Sequence, residues 1–327
     1  MAKTVYGLVI LLFLGLGAMV AAGQPARADA YGMTRLRVGI ADTSQFRTVQ
    51  DRLEPFRAYL SEHLGLPVEL HGFRSGEELV DAVARHAIDY AIVPAAVYAA
   101  AWRRCGCLEP LVAPKSIDGT AGSRSILVVR GDSPYLKPAD LQGKALAASG
   151  PGSIAGRLVP FSELALEGAD PATLFARVDT VTGPDAALAA VLDRKADAAL
   201  AWTSLEGEEG EGYDRGILHD LVARHRLDMH AIRIIWHSGL IPNGPHAVRD
   251  DLPLELKQKL RDLLIDMIDV APAVYDAVEP VYGGGFAPIG HSTYLPLLRL
   301  VTPAGEDPMQ PPVPKAQVPK AQVAPKG

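Results

Sequence analysis

The residues of this chain that could do chemistry are concentrated between Ser149 and Pro160. Ser149, Gly150, Pro151, Gly152 and Ser153 lead into Ile154, Ala155, Gly156 and Arg157. An apolar run from Lys144 to Ala148 precedes them and Phe161 to Leu166 follows, so the pattern predicts strand, glycine-rich loop and helix start. Glycine lets the backbone turn tightly and lets a ligand come close to it. The helix start beyond offers free N–H groups and the positive end of a dipole, which suits an anion or the polar tip of a ligand. The same pattern also serves as a plain connection.

Elsewhere the chemistry is sparse. The nine histidines form no His-Glu-x-x-His pair and no Gly-x-Ser-x-Gly elbow occurs, so neither an enzyme nor a cofactor is expected. Glu206, Glu208, Glu209 and Glu211 lack the ordered ligand ladder of a calcium loop. They read as a solvated loop, or, following Trp202, as a flap over a cleft. Cys105 and Cys107, the only cysteines, flank Gly106. A bridge between them would close a very small ring and two thiols are half a metal site, so an unbridged pair is the default expectation. Asp89, Asp185 and Asp197 stand at strand entries and helix starts, where capping is the ordinary role.

The elements that must position these residues follow from composition and period. At 327 residues, 48% hydrophobic and 21% charged, the chain fits soluble globular structure of about two domains. Residues 1–30 read as an export signal: Lys3, an apolar run from Val5 to Ala22, then Ala28, Asp29 and Ala30 as a cleavage site. The mature, exported protein is then expected to start near Tyr31, with 30 basic against 37 acidic residues, a net −7. That balance, with no basic cluster, excludes nucleic acid and anionic membrane surfaces as partners.

Leu36 to Ala41 alternates as a strand, and Val49, Leu53, Phe56, Leu60 and Leu64 recur at helical spacing. Val68 to Leu70 and Tyr90 to Val93 are further strands, separated by a helix that Ser75 and Glu78 open as a capping box. Ile126 to Val129 leaves this first lobe. The second lobe takes the glycine loop, a strand at Val178–Val181, a helix from Asp185 to Lys195 and a strand at Ala198–Ala201. Ile232 to Trp236 is expected to return to the first lobe, giving 31–125 plus 232–300 and 126–231 as the two lobes. Leu256, Leu260, Leu263, Leu264, Met267 and Ile268 form one apolar helix stripe. From Val301 there are seven prolines in 27 residues and two Val-Pro-Lys-Ala-Gln repeats, a tail that cannot bury a core. Strand–helix alternation of this kind marks an α/β fold of open sheets with ligands beyond the carboxyl ends of the strands.

The order of segments resembles the periplasmic phosphate, phosphite and phosphonate-binding proteins of ABC transporters. The matching pieces run from Glu54 to Gly65, Ile88 to Tyr98, Ile126 to Ser133, Asp140 to Lys144, and Ile241 to Pro245 ahead of Arg249 to Pro253. The resemblance implies a two-lobed, type II periplasmic-binding-protein fold, a hinge between the lobes, and one solute in the cleft that is passed to a membrane transporter. It also implies where this chain departs. The family has Ser-Thr-Ser-Gly at the helix start, and here those places hold Ser153, Ile154, Ala155 and Gly156. A family histidine gives way to Pro184 before Asp185, and a family tyrosine is missing near Ile126. Hydrogen bonds to charge are worth about 1.5–3 kcal/mol each, so these losses weaken oxyanion binding unless Arg124 and Ser125 replace the donors.

The substitutions make the cleft drier. With Phe46, Tyr98 and Trp202 also at cleft positions, they suit an amphiphilic or lipid-like ligand, sterols included, since the same scaffold occurs in bacterial lipid transport. The alternatives are a phosphonate-type oxyanion, and a sensor or adaptor that meets a partner through its surface. In the lipid reading Ser153 and the N–H groups after it hold the ligand's polar tip, in the oxyanion reading the same N–H groups act with Arg124 and Ser125, and the protein is expected to be a monomer.

Overall fold

The computed structural model describes residues 30–41, 46–303 and 305–311. The export segment up to Asp29, Thr43, Ser44, the side chain of Phe46 and the two tail repeats lie outside the described residues. The chain opens with β1 (Leu36–Ile40), α1 (Phe46–Leu64), β2 (Val68–Gly72), α2 (Gly76–Ala84), β3 (Tyr90–Ile92), α3 (Ala95–Cys105) and β4 (Leu108–Ser116). It crosses to β5 (Gly122–Arg130), β6 (Lys144–Ser149), α4 (Val159–Leu166), α5 (Pro171–Leu174), β7 (Phe175–Val181), α6 (Pro184–Leu192) and β8 (Ala198–Thr203). There follow α7 (Ile217–Ala223), β9 (Ile232–His237) and β10 (Ile241–Pro242). The chain then returns with β11 (His246–Arg249), α8 (Leu254–Val270), α9 (Pro272–Val278), β12 (Gly283–Pro288) and α10 (Leu295–Val301).

Two six-stranded sheets result, ordered β12-β4-β11-β3-β1-β2 and β10-β5-β8-β6-β7, with β9 also paired to β5. This is the two-lobed α/β architecture expected from the sequence. One strand is placed differently. Ile232–His237 does not return to the first lobe but pairs antiparallel with β5. Ile232 and Ile234 enter the core on one face of that sheet and, past a bulge, Ile235 and Trp236 enter it on the other, so both sides of β9 are covered within the second lobe. β5 likewise belongs to the second sheet from Gly122 onward.

Each sheet is fastened at its base by one aspartate. In the first, Asp89 N–H donates to the Arg37 carbonyl and Asp89 Oδ2 accepts the Arg37 N–H, both at 2.9 Å. In the second, Asp197 does the same with Ala145, again at 2.9 Å in both directions. Asp89 is 1% exposed and also takes the Arg37 guanidinium in a bidentate pair, which compensates its burial.

The apolar stripe of α8 is buried as its spacing predicts, against Phe56, Leu60 and β1. Ser75 Oγ accepts the Glu78 N–H, while the Glu78 carboxylate reaches back to the Arg74 N–H, one residue beyond a capping box. Cys105 and Cys107 form a disulfide, against the expectation of a free pair. Gly106, left-handed at φ 61°, turns the end of α3 so that the two Cα atoms stand 5.0 Å apart, within disulfide range. Among the described residues no helix is long and apolar enough to cross a membrane.

Candidate ligand site

β6 pairs in parallel with both β7 and β8, so the carboxyl ends of all three share one edge of the second sheet. β5 runs antiparallel and begins at that edge, with Ser125 opposite Trp202 and Arg124 opposite Thr203. Topology therefore brings Arg124, Ser125, the Ser149–Gly156 segment, Pro184, Asp185 and Trp202 to one rim. In the first lobe the corresponding rim holds the starts of α1, at Phe46, and α3.

The loop after β6 does not run on to Phe161 before turning helical. Leu158 N–H donates to the Ser153 carbonyl at 2.9 Å, five residues back, and residues 154–158 form a π-helical turn that continues into α4. Turns of this kind recur at functional sites. Ser153 caps it, its Oγ accepting the Gly156 N–H at 3.1 Å. The first N–H groups of a helix have no acceptor within it, and those of Ile154 and Ala155 stand at the mouth of this turn. The Ile154 and Ala155 side chains are half-buried against a cluster containing Tyr98 and Leu297 of the first lobe and Val159 of the second. The ligand turn is thus also a place where the lobes meet. Behind it, α4 holds the segment that leads back to the first lobe: Glu163 accepts the Gly239 N–H and Glu167 the Trp236 Nε1–H, each at 2.8 Å.

Ser125 is fully buried and donates to the Ala155 carbonyl at 2.6 Å, bracing the turn from behind. Arg124 leaves the opposite face of β5, as successive strand residues must, and donates to the Ser238 carbonyl at 3.1 Å. The structure therefore does not bring Arg124 and Ser125 together as a pair of donors. Tyr98 is also fully buried. Its hydroxyl bonds His291 Nδ1 at 2.7 Å, and Trp102 packs on the same histidine with ring centroids 3.9 Å apart. Burial raises the Tyr98 phenol far above its ordinary range and lowers the His291 imidazole, so both are neutral near pH 7. Pro184 occupies the first turn of α6 and Asp185 is exposed beside it.

The acidic loop after Trp202 is anchored to its own lobe. Thr203 bridges Gly216, Thr203 Oγ1 donates to the Arg215 carbonyl at 3.0 Å, and Tyr213 packs into the core beneath. The residue that reaches the other lobe is Arg215, which donates to Ser116 Oγ, while the glutamates are exposed. Among the described residues no group of three or more His, Cys, Asp or Glu side chains is arranged to hold a metal.

A family model for the phosphonate periplasmic substrate-binding proteins of ABC transporters matches residues 38–294. The chain belongs to this family. It is a periplasmic substrate-binding protein, of the kind that takes up a small-molecule ligand and delivers it to an ABC membrane transporter. Among solved structures, the Xanthomonas citri protein XAC2383 bound to ATP has a TM-score of 0.54 at 20% identity, over 82% of this chain and 95% of that one. Transferrin 1 from Manduca sexta has a TM-score of 0.58 at 15% identity, over 81% of this chain and 46% of that one. At these identities the likeness is one of fold.

In this substrate-binding protein the turn carries one capping serine, two hydrocarbon side chains and a glycine. The sequence treats Ser149 only as the first residue of a loop, yet its hydroxyl is buried beside Gly156 without a hydrogen-bond partner. The signal available beforehand was slight: a serine closing a strand that, after Lys144, is otherwise alanine and leucine. His291 gave none, because only the fold brings it to Tyr98.

Proposed function

We propose that this substrate-binding protein takes organic oxyanions of the phosphonate class that carry a sizeable apolar substituent. The observation that carries the reading is the turn itself. Ser153 Oγ, which accepts the Gly156 N–H and keeps its own proton, and the leading N–H groups offer donors to a ligand immediately beside the hydrocarbon of Ile154 and Ala155. An oxyanion held at a helix start gains from both the N–H groups and the dipole. Ile154, Ala155 and Trp202 then form the wall for the organic part, as in pockets that are mostly apolar with a few polar anchors. Family membership supports the headgroup, and the changed motif supports the bulk behind it. A single protomer contains both rims of the cleft, so the monomer is the working unit.

Calorimetric titration with inorganic phosphate, methylphosphonate and hexylphosphonate tests this. Affinity is expected to rise in that order, and the Ile154→Thr/Ala155→Ser double variant is expected to reverse the preference towards phosphate and methylphosphonate. A protein that binds none of the three, and leaves its own periplasm carrying a neutral lipid, would overturn the oxyanion reading in favour of lipid transport.

A further inference from the structure

β6 ends in Ser149, a residue 5% exposed whose Oγ has no hydrogen-bond partner. Leaving a buried hydroxyl in that state costs folding free energy, so such groups are uncommon unless a ligand or water uses them. This one is aimed at the ligand turn. A Cβ placed on Gly156 would stand 2.4 Å from Ser149 Oγ and 2.7 Å from Ser153 Oγ. The two hydroxyls therefore flank the same point, and only glycine at 156 leaves them room.

Ser153 Oγ accepts the Gly156 N–H and still has its own proton to donate, as does Ser149. Arg157 adds a guanidinium close by, donating to the Ser149 carbonyl at 3.4 Å and to Thr180 Oγ1 at 3.2 Å. At the neighbouring strand end α6 begins on Gly183, a cap with no side-chain hydrogen bond. The rim gathers donors: the Ser149 and Ser153 hydroxyls keep protons to give, with the Arg157 guanidinium close by.

We propose that Ser149 is a further ligand-binding residue, its hydroxyl donating to one oxygen of the oxyanion that Ser153 and the turn hold. This rests on the oxyanion reading above. It gives the chain, from the end of a strand, a donor that Ile154 and Ala155 no longer provide within the turn. It also gives Gly156 a role in specificity, since any side chain there would separate the two hydroxyls.

The test is titration of the mature full-length protein with methylphosphonate and hexylphosphonate, in wild type, Ser149→Ala, Ser149→Cys and Ser153→Ala, with melting temperatures of the unliganded proteins. Ser149→Ala is expected to weaken both ligands by roughly 10-fold or more, as for loss of a hydrogen bond to charge, without lowering the unliganded melting temperature. Ser149→Cys, of similar volume with a weaker donor, is expected to fall between. If Ser153→Ala weakens binding and Ser149→Ala does not, the role given to Ser149 is wrong while the oxyanion reading stands. A lower unliganded melting temperature with unchanged affinity makes Ser149 a packing residue and overturns the proposal. If wild type binds neither phosphonate, the oxyanion reading fails first and this proposal with it.

Discussion

The two lobes are alike at one edge of their sheets and unlike at the other. At the base, Asp89 and Asp197 make the same two-way bond to Arg37 and Ala145, so β1 and β3 of the first lobe and β6 and β8 of the second are registered by one device used twice. At the cleft rim the second lobe presents a capped turn with donors to offer. The helix start facing it in the first lobe follows Pro94, which makes no side-chain cap, and its tyrosine hydroxyl is turned inward to His291. On the proposed function recognition is asymmetric, with polar grip from the second lobe and cover from the first, and a few residues at one rim of the scaffold decide what the ligand can be.

The largest effect that would sharpen this contrast is expected from Gly156→Ala. Its methyl would overlap both serine hydroxyls, costing about 1–3 kcal/mol of stability and abolishing oxyanion binding in calorimetry. Ser125→Ala comes next: it strands the Ala155 carbonyl, and about 1–3 kcal/mol should be lost in urea denaturation together with weaker binding. In the first lobe, Tyr98→Phe should cost about 1 kcal/mol of stability and leave affinity alone. A drop in affinity without loss of stability would show that the first lobe contributes a donor, and would break the asymmetry.

His291 gives a pH dependence of the same lobe. Its folded pKa lies below the ordinary 6.5, so the unfolded chain binds the proton more readily. Stability is full above about pH 6.5 and falls as the pH drops below it, and His291→Asn should flatten that slope in melting curves. The smallest change is expected from Arg124→Ala, within about 0.5 kcal/mol, because its guanidinium bonds a backbone carbonyl on the far face of β5. A large loss of phosphonate affinity there would return Arg124 to the cleft and undo the comparison from the other side.

Much of the architecture was legible because it rests on periodic burial. The helix at Val49–Leu64, the stripe of α8 and the strands at Leu36, Tyr90 and Ala198 all follow from which residues recur at which spacing. β4, β11 and β12 were not read as strands, since β4 and β12 contain proline, β11 is short, and all three depend on antiparallel partners far away in sequence. β9 shows the same limit: its composition fits either sheet, and only its pairing with β5 decides. At the site, the glycine loop and Ser153 could be picked out by type and spacing. The five-residue register of the turn could not, because it depends on Ser125 holding the Ala155 carbonyl from a neighbouring strand.

α4 joins that turn to the return path of the chain, and the joint has a mechanical meaning. Eight helical residues span about 12 Å and do not bend under small loads. One end of this rod is continuous with the ligand turn, and near the other Glu163 and Glu167 grip Gly239 and Trp236, a few residues before the crossover at Asn243. Under the proposed function the rod would work as a lever: a ligand that tilted the turn would move the crossover as well, so the lobe proposed to hold the oxyanion would also set the angle at which the other closes over it.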